Sequence, residues 1–294
     1  MTENRTYTDL FTKTHKAEYW DRLYEQPSNL FEHLMVQRRD YAHRYVCAHF
    51  GAAARVLDLG CGAGVLSERL IESGYRVTCV DASDDMVELC GNRLGRFPRD
   101  THTVLAANCL QLPFPDGHFD LVVTMGMFGY FDEVSQALRE IRRVLRPEGT
   151  LLLSVRNPNN HYLFDLAELA RLPVRLAGKL LRKALKLHAR EAPIKPSSAA
   201  PQGLNAPDDG FRIRMFQSPA PLISGVSQRG YRLVHFDGIG YGPPAIGERQ
   251  LLPARAAVAL SDFLNRFFRR TGLQRASRWL ADVSFYVFTT RPNP

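Results

Sequence analysis

The stretch VLDLGCGAG, Val56 to Gly64, sets three glycines within five residues directly behind an apolar run. A strand that carries Asp58 and passes through Gly60, Gly62 and Gly64 into a helical segment makes a turn where missing side chains let a ligand lie against the backbone. The amides of the helix N-terminus face that ligand.

The next landmark decides which kind of ligand. A dinucleotide turn of the form GxGxxG needs glycine at position 65, where the chain has Val65. Asp81 ends the following strand, RVTCVD, 21 residues after Gly60, where a carboxylate accepts both hydroxyls of a ribose. With an intact ribose diol and no phosphate-binding GK[ST] run, the expected ligand is an adenosine without a phosphate tail.

Outward from this turn, short apolar strands alternate with helical segments: RVLDLG, LSERLIESG, RVTCVD, DDMVELCGNRL, TVLAAN, FDLVVTM, VSQALREIRRVL and TLLLSVR. That alternation predicts an α/β fold, a mostly parallel Rossmann-like sheet with helices on both faces. The pattern breaks after residue 156 and resumes with PLISGVSQRG, YRLVHFDGIG and SFYVFTTRP. Four regions are therefore expected: residues 1–50 as N-terminal helices over the ligand site, broken at Pro27; 51–156 as the nucleoside-binding core; 157–215 as a basic helical insertion and lid; and 216–294 as the completion of the sheet. Within the insertion, EAPIKPSSAAPQGLNAPDDG has four prolines and few large apolar groups, the composition of a mobile segment.

At 294 residues and 45% hydrophobic content, the chain has the composition of a globular enzyme. Five cysteines, odd in number and without a CxxC pair, argue against a disulfide framework or a zinc site and for reduced, buried thiols. The opening residues lack the apolar stretch of a signal peptide and no run is long enough to span a bilayer, so a cytoplasmic protein is expected. The net charge of +8 is local: residues 161–190 carry +5 and 249–278 carry +6, leaving −3 elsewhere. In the first of these, basic residues at 171, 175, 179, 182, 186 and 190 form one helical stripe beside Leu169, Leu172, Leu176 and Leu180. In the second, DFLNRFFRRTGLQRASRW interleaves aromatics with arginine. Both suit helices that pack on the sheet and leave their arginines in water, and both suit an anionic membrane surface through 161–190 and 262–279. Nucleic acid is not the expected partner, since helix-turn-helix spacing and aromatic RNA-binding signatures are missing.

Taken together, VLDLGCGAG, VTCVDASDDM, AANCLQLPFPDGHFDLVV and ALREIRRVLRPEGTLLLSV resemble the class I S-adenosylmethionine-dependent methyltransferases, in the methyltransferase type 11/12 branch similar to the ubiquinone and menaquinone methyltransferases. The resemblance is close over residues 55–156 and weaker at 216–242 and 284–290. It implies a seven-stranded sheet with one antiparallel strand, for which SFYVFTTRP is the candidate. It also implies S-adenosyl-L-methionine as cofactor and S-adenosyl-L-homocysteine as product. Gly60, Cys61 and Gly62 would lie along the methionine part, with Asp58 orienting its amino group. Asp81 would hold the ribose, and Ala82 and Met86 would line the adenine. Asn108, where the family usually carries an acidic residue, and Cys109 would lie near the adenine amino group, the Asn108 amide oxygen accepting the same hydrogen bond. Met125 and Gly126 would lie beside the sulfonium.

Methyl transfer from a sulfonium needs proximity, alignment and, for an oxygen acceptor, a base. Where many relatives carry a histidine after the fourth strand this chain reads MFGYFDEV, which leaves Tyr130 and His161 as candidate catalytic residues. Tyr130 also suits an apolar wall, and His161 a solvated loop. Asp132 and Glu133 fit a helix N-terminus better than a metal site, and no metal is expected. The reading that follows is a methyltransferase acting on a hydrophobic or lipid-linked small molecule, at oxygen, near a membrane surface and peripheral on its inner face. A soluble natural-product or sugar methyltransferase, and a methyltransferase-like protein that binds the cofactor without turnover, remain as alternatives.

Overall fold

A computed structural model describes residues 19, 22–25, 27–130, 134–157, 219–241, 245–246, 249–250, 252–273 and 281–290. The insertion expected over 157–215 lies outside the described residues from 158 onward. The described chain runs α1 (Leu30–His49), β1 (Arg55–Leu59), α2 (Val65–Glu72), β2 (Arg76–Asp81), α3 (Asp84–Leu94), β3 (His102–Ala106), β4 (Phe119–Met125), a 3₁₀ turn (Met127–Tyr130), α4 (Val134–Val144), β5 (Leu145–Arg156), α5 (Pro219–Ser227), β6 (Tyr231–Ile239), β7 (Ala245–Ile246), β8 (Arg249–Gln250), α6 (Ala254–Thr271) and β9 (Val283–Thr290).

Seven strands form one sheet in the order β3-β2-β1-β4-β5-β9-β6. The first five are parallel, and β9 runs antiparallel between β5 and β6. The mixed seven-stranded sheet is the one expected, with SFYVFTTRP as its antiparallel member. Strand β5 starts earlier than the TLLLSVR run suggests. Leu145 pairs with Phe119 and Thr150 with Leu121, so four residues of β5 bulge out against one of β4. Glu148 takes φ of 60° within that bulge. Among the described residues the two-residue arms β7 and β8 pair only with each other, and they left no periodic signal to read.

Apolar groups fill both faces of the sheet. On one, Leu138 and Ile141 of α4 and Leu222 and Val226 of α5 meet Leu57, Val122, Leu151 and Tyr286. On the other, Ala42 and Val46 of α1, Leu66 and Leu70 of α2 and Cys90 and Leu94 of α3 meet Val56, Val77, Leu121 and Phe285. Continuous apolar strands such as LVV in β4 exist because both their faces are covered.

Side-chain caps on Asn29 and Glu32 fix where helix α1 begins. Asn29 Oδ1 accepts the Glu32 N–H at 3.0 Å, and Glu32 Oε2 accepts from the Ser28 amide and hydroxyl at 2.6 and 2.8 Å. Tyr41 then stacks on Phe285 of β9, ring centres 4.1 Å apart, and donates to Asp237 of β6 at 2.9 Å. Helix α6 is clipped to α1 by polar groups: Gln37 Nε2 donates to Asp262 at 2.6 Å, and Asn265 Nδ2 donates to Gln37 Oε1 at 3.2 Å. These bonds turn Ser261 and Asn265 inward and leave Phe263 and Phe267 of α6 exposed.

Candidate functional site

The strand order reverses between β1 and β4: from β1 the chain proceeds outward to β2 and β3, and from β4 it proceeds the other way to β5. Open α/β sheets bind ligands at the carboxyl ends of strands where this reversal opens a crevice. A cavity of about 200 Å³ lies there. Its floor is Gly60, Cys61, Gly62 and Ala63 after β1, with Val65 of α2. Asp81 and Met86 close one end, Met125, Gly126 and Met127 follow β4, and Val155 and Arg156 end β5. Tyr24 and, from α1, Phe31, Met35 and Arg38 roof it over.

The glycine turn is held from below. Both the Gly60 and Cys61 amides donate to the Val80 carbonyl at the end of β2, at 2.8 and 3.1 Å. Gly60 and Gly62 take φ of +73° and +53°, a region costing an L-residue with a side chain roughly 1–2 kcal/mol. Asp81 binds the two turns together: Oδ2 accepts the Gly62 N–H at 2.9 Å and Oδ1 the Ser83 N–H at 3.0 Å. Each oxygen keeps a second lone pair, so two acceptor positions remain for a vicinal diol. Burial pushes the Asp81 carboxyl above its ordinary value, opposed by the Ser83 and Gly62 amides.

Asp58 occupies a different place from its expected one beside the cofactor amino group. It is 1% exposed, does not line the cavity, and accepts from Ser67 Oγ in the first turn of α2 at 2.7 Å. Its carboxylate braces the turn from beneath. Burial pushes this carboxyl from 3.8 to about 7. Because the folded value is the higher one, the group's contribution to stability is present in full below about pH 4 and is lost as the pH rises through 7. Relative to the wild type, Asp58→Asn should therefore gain stability between pH 5 and pH 8, by at most about 4 kcal/mol given ~1.4 kcal/mol per pK unit. Denaturant melts at the two pH values check this, and an unchanged difference would contradict it.

Of the other residues singled out from the sequence, Gly60, Cys61, Gly62, Asp81, Met86, Met125 and Gly126 line the cavity. Ala82, Asn108 and Cys109 do not. Asn108 Oδ1 accepts the Leu110 N–H at 2.9 Å, and Cys109 is buried, its thiol pushed up to about 12 by desolvation. Tyr130 ends the 3₁₀ turn after β4. His161, Asp132 and Glu133 lie outside the described residues. Sequence reasoning expected the N-terminal helices over the ligand site but named none of the residues that roof it. Phe31, Met35 and Arg38 stand at spacings of four and three on α1, one helical face, and Arg156 follows an apolar strand whose end was already placed at the ligand edge.

The sheet order and the glycine turn at the reversal, braced by Asp81, define the class I methyltransferase architecture. Residues 57–153 match the family described as "Methyltransferase domain", and over that stretch the chain is similar to class I S-adenosylmethionine-dependent methyltransferases, ubiquinone and menaquinone methyltransferases among them. It is 33% identical over 159 residues to a demethylmenaquinone methyltransferase of Leptospira interrogans, an alignment covering 51% of this chain and 62% of that one. It is 32% identical over 163 residues to a ubiquinone/menaquinone biosynthesis C-methyltransferase of Hahella chejuensis, covering 49% and 64%. To a malonyl-[acyl-carrier protein] O-methyltransferase of Geobacter sulfurreducens it is 38% identical over 98 residues, covering 33% and 36%. The chain thus spans less than two thirds of the length of each of these relatives. Among solved structures, the fold is shared with a chain in the complex between the Haloferax volcanii Trm112 methyltransferase activator and the protein described with it as a methyltransferase. The TM-score is 0.52 at 18% identity, over 88% of this chain and 92% of that one.

Proposed function

We propose that this protein transfers the methyl group of S-adenosylmethionine to an oxygen of a hydrophobic or lipid-linked small molecule at the inner face of a membrane. The observation that carries the reading is the cavity wall. Tyr24, Phe31, Met35, Met127 and Val155 line it together with the glycine turn, Met127 packing against Gly60, and they make an apolar surface suited to a greasy acceptor and to excluding water from the sulfonium. Asp58 sits under the turn and Asp81 is committed to its two amides, so neither carboxylate stands free as a base. An acceptor that arrives as its own anion, a phenolate or carboxylate, needs none. Arg156 lines the same cavity, its guanidinium 5.5 Å over the Phe31 ring and 3.5 Å from Asp282. There it adds positive charge to the acceptor side. The relatives' printed names include both O- and C-methyltransferases, and product analysis decides between the two atoms.

Helix α6 supports the membrane part of the reading. Its outward stripe combines Phe263, Phe267 and the following Leu273, 56, 42 and 49% exposed, with Arg255, Arg266 and Arg270. Aromatic groups inserting at headgroup level beside arginines on phosphate match an anionic interface. No helix among the described residues is long and apolar enough to cross a membrane. Cosedimentation with vesicles containing anionic lipid should retain the wild type and lose most of Phe263→Ser/Phe267→Ser. With purely phosphatidylcholine vesicles both should stay in the supernatant. Equal behaviour of the two proteins on anionic vesicles contradicts the membrane assignment and favours a soluble acceptor.

A further inference from the structure

A second cavity, of about 270 Å³, lies where the edge strand β6 meets the C-terminal half of α1 and the last turn of α6, and it shares no residue with the cofactor cavity. Arg44 of α1 and Arg269 of α6 both line it. No hydrogen bond or ion pair of either guanidinium is found among the described residues. The acidic groups nearby are already engaged. Asp40, one turn before Arg44, accepts from Arg39 Nε and Nη2 at 2.9 and 2.7 Å. Asp237, which lines the same cavity, accepts from the Tyr41 hydroxyl at 2.9 Å and from the Gly238 amide at 2.7 Å. Burial and then the Arg269 charge hold the Arg44 guanidinium below its ordinary value, with Asp40 and Tyr41 opposing. The carbonyls ending α6 offset part of the Arg269 charge, but Arg44 stands more than a turn inside the end of α1.

The wall beside the two arginines is fixed by its own contacts. Tyr45 stacks on His49 with ring centres 4.0 Å apart and on His235 at 5.9 Å, and His49 Nδ1 donates to the Tyr45 carbonyl at 2.8 Å. Two like charges thus converge on a concave, aromatic-walled surface, where an anion between them relieves their repulsion. Guanidinium forks suit phosphate oxygens, which accept from both arginines at once.

We propose that this groove between α1, β6 and α6 binds the phosphate of an anionic lipid headgroup, gripped by Arg44 and Arg269. The choice of a lipid over a free phosphate rests on the membrane reading of α6. Arg269 belongs to the helix whose Phe263 and Phe267 are exposed, and Arg266 stands one turn before it. A headgroup held by Arg269 therefore places its acyl chains beside the helix whose aromatics enter the interface. The site gives the surface a lipid to recognise, beyond a charge to be attracted by.

Calorimetric titration with dihexanoyl phosphatidylglycerol below its micelle concentration tests this, since a single dispersed lipid has no surface potential. The wild type should bind it saturably, and more tightly than it binds inorganic phosphate or dihexanoyl phosphatidylcholine. Arg44→Gln/Arg269→Gln should weaken that binding by about ten-fold or more. Arg99→Gln/Arg232→Gln removes the same charge from exposed positions outside the cavity, and should leave the affinity within about two-fold. Equal weakening by the two pairs, or no saturable binding, in a wild type that still sediments with anionic vesicles overturns the site and leaves the membrane reading standing. Inorganic phosphate bound as tightly as the lipid assigns the groove to soluble phosphates and overturns the headgroup assignment. A wild type that stays off anionic vesicles fails the membrane reading, and the headgroup assignment falls with it.

Discussion

Asp81→Asn is expected to weaken S-adenosylhomocysteine binding by at least about 100-fold, since hydrogen bonds to a charged group contribute about 1.5–3 kcal/mol each and two ribose hydroxyls are involved. The side chain also accepts the Gly62 and Ser83 amides, so the loss in the variant mixes ribose recognition with bracing of the glycine turn. The two are separated by repeating the titration with a 2′,3′-dideoxy analogue. The wild type should lose roughly as much affinity on removal of the diol as on substitution of Asp81. Asp81→Asn should bind the dideoxy compound almost as well as the wild type does. If the substitution weakens both ligands equally, Asp81 acts only on the turn. An affinity for S-adenosylhomocysteine within a few-fold of wild type refutes the ribose assignment outright.

Gly64→Ala should be the most destabilising single change in the turn. Gly64 stands at the N-cap of α2 with φ of +75°, and an added Cβ would meet Cys90 Sγ of α3 at 2.7 Å. The backbone part costs an alanine roughly 1–2 kcal/mol, and forcing a buried sulfur aside brings the total to about 2–4 kcal/mol. For a chain of this size that is a fall in Tm on the order of 5–10 °C. Adding Cys90→Ala should return the steric part but not the backbone part, because the α3 backbone and Cβ stand 3.5 Å from the added Cβ. Thermal melts of both single variants and the double variant check this. A Gly64→Ala protein that melts with the wild type would mean that Cys90 repacks freely.

The β1 to β2 region was legible because its physics is local. Buried parallel strands read as apolar runs, and Gly60, Gly62 and Gly64 all adopt the positive φ that their type permits. Asp81 was legible from its distance along the chain. Asp58 was not, because its partner Ser67 lies nine residues on and reaches it only after the turn has folded. The roof was harder still. Phe31, Met35 and Arg38 sit among polar neighbours on a helix whose overall amphipathicity is weak, since it buries one face on the sheet and another over the cavity. Nothing in its spacing says which strand end it will cover. On α6, aromatic and basic residues were visible as a cluster, but that Phe263 and Phe267 face outward follows from the Gln37, Asp262 and Asn265 contacts, which join distant parts of the chain.

The most direct test of the central claim is transfer of label from methyl-labelled S-adenosylmethionine. Purified protein is incubated with the labelled cofactor and a crude lysate that includes membranes, and counts are followed into the organic and aqueous small-molecule fractions, with Asp81→Asn as the control. The account predicts label in the organic fraction with the wild type and background counts with the variant. Label confined to the aqueous fraction would keep the methyltransferase and move its acceptor to a soluble metabolite. Background counts in both fractions with the wild type, together with no heat of binding for S-adenosylhomocysteine, would contradict the account.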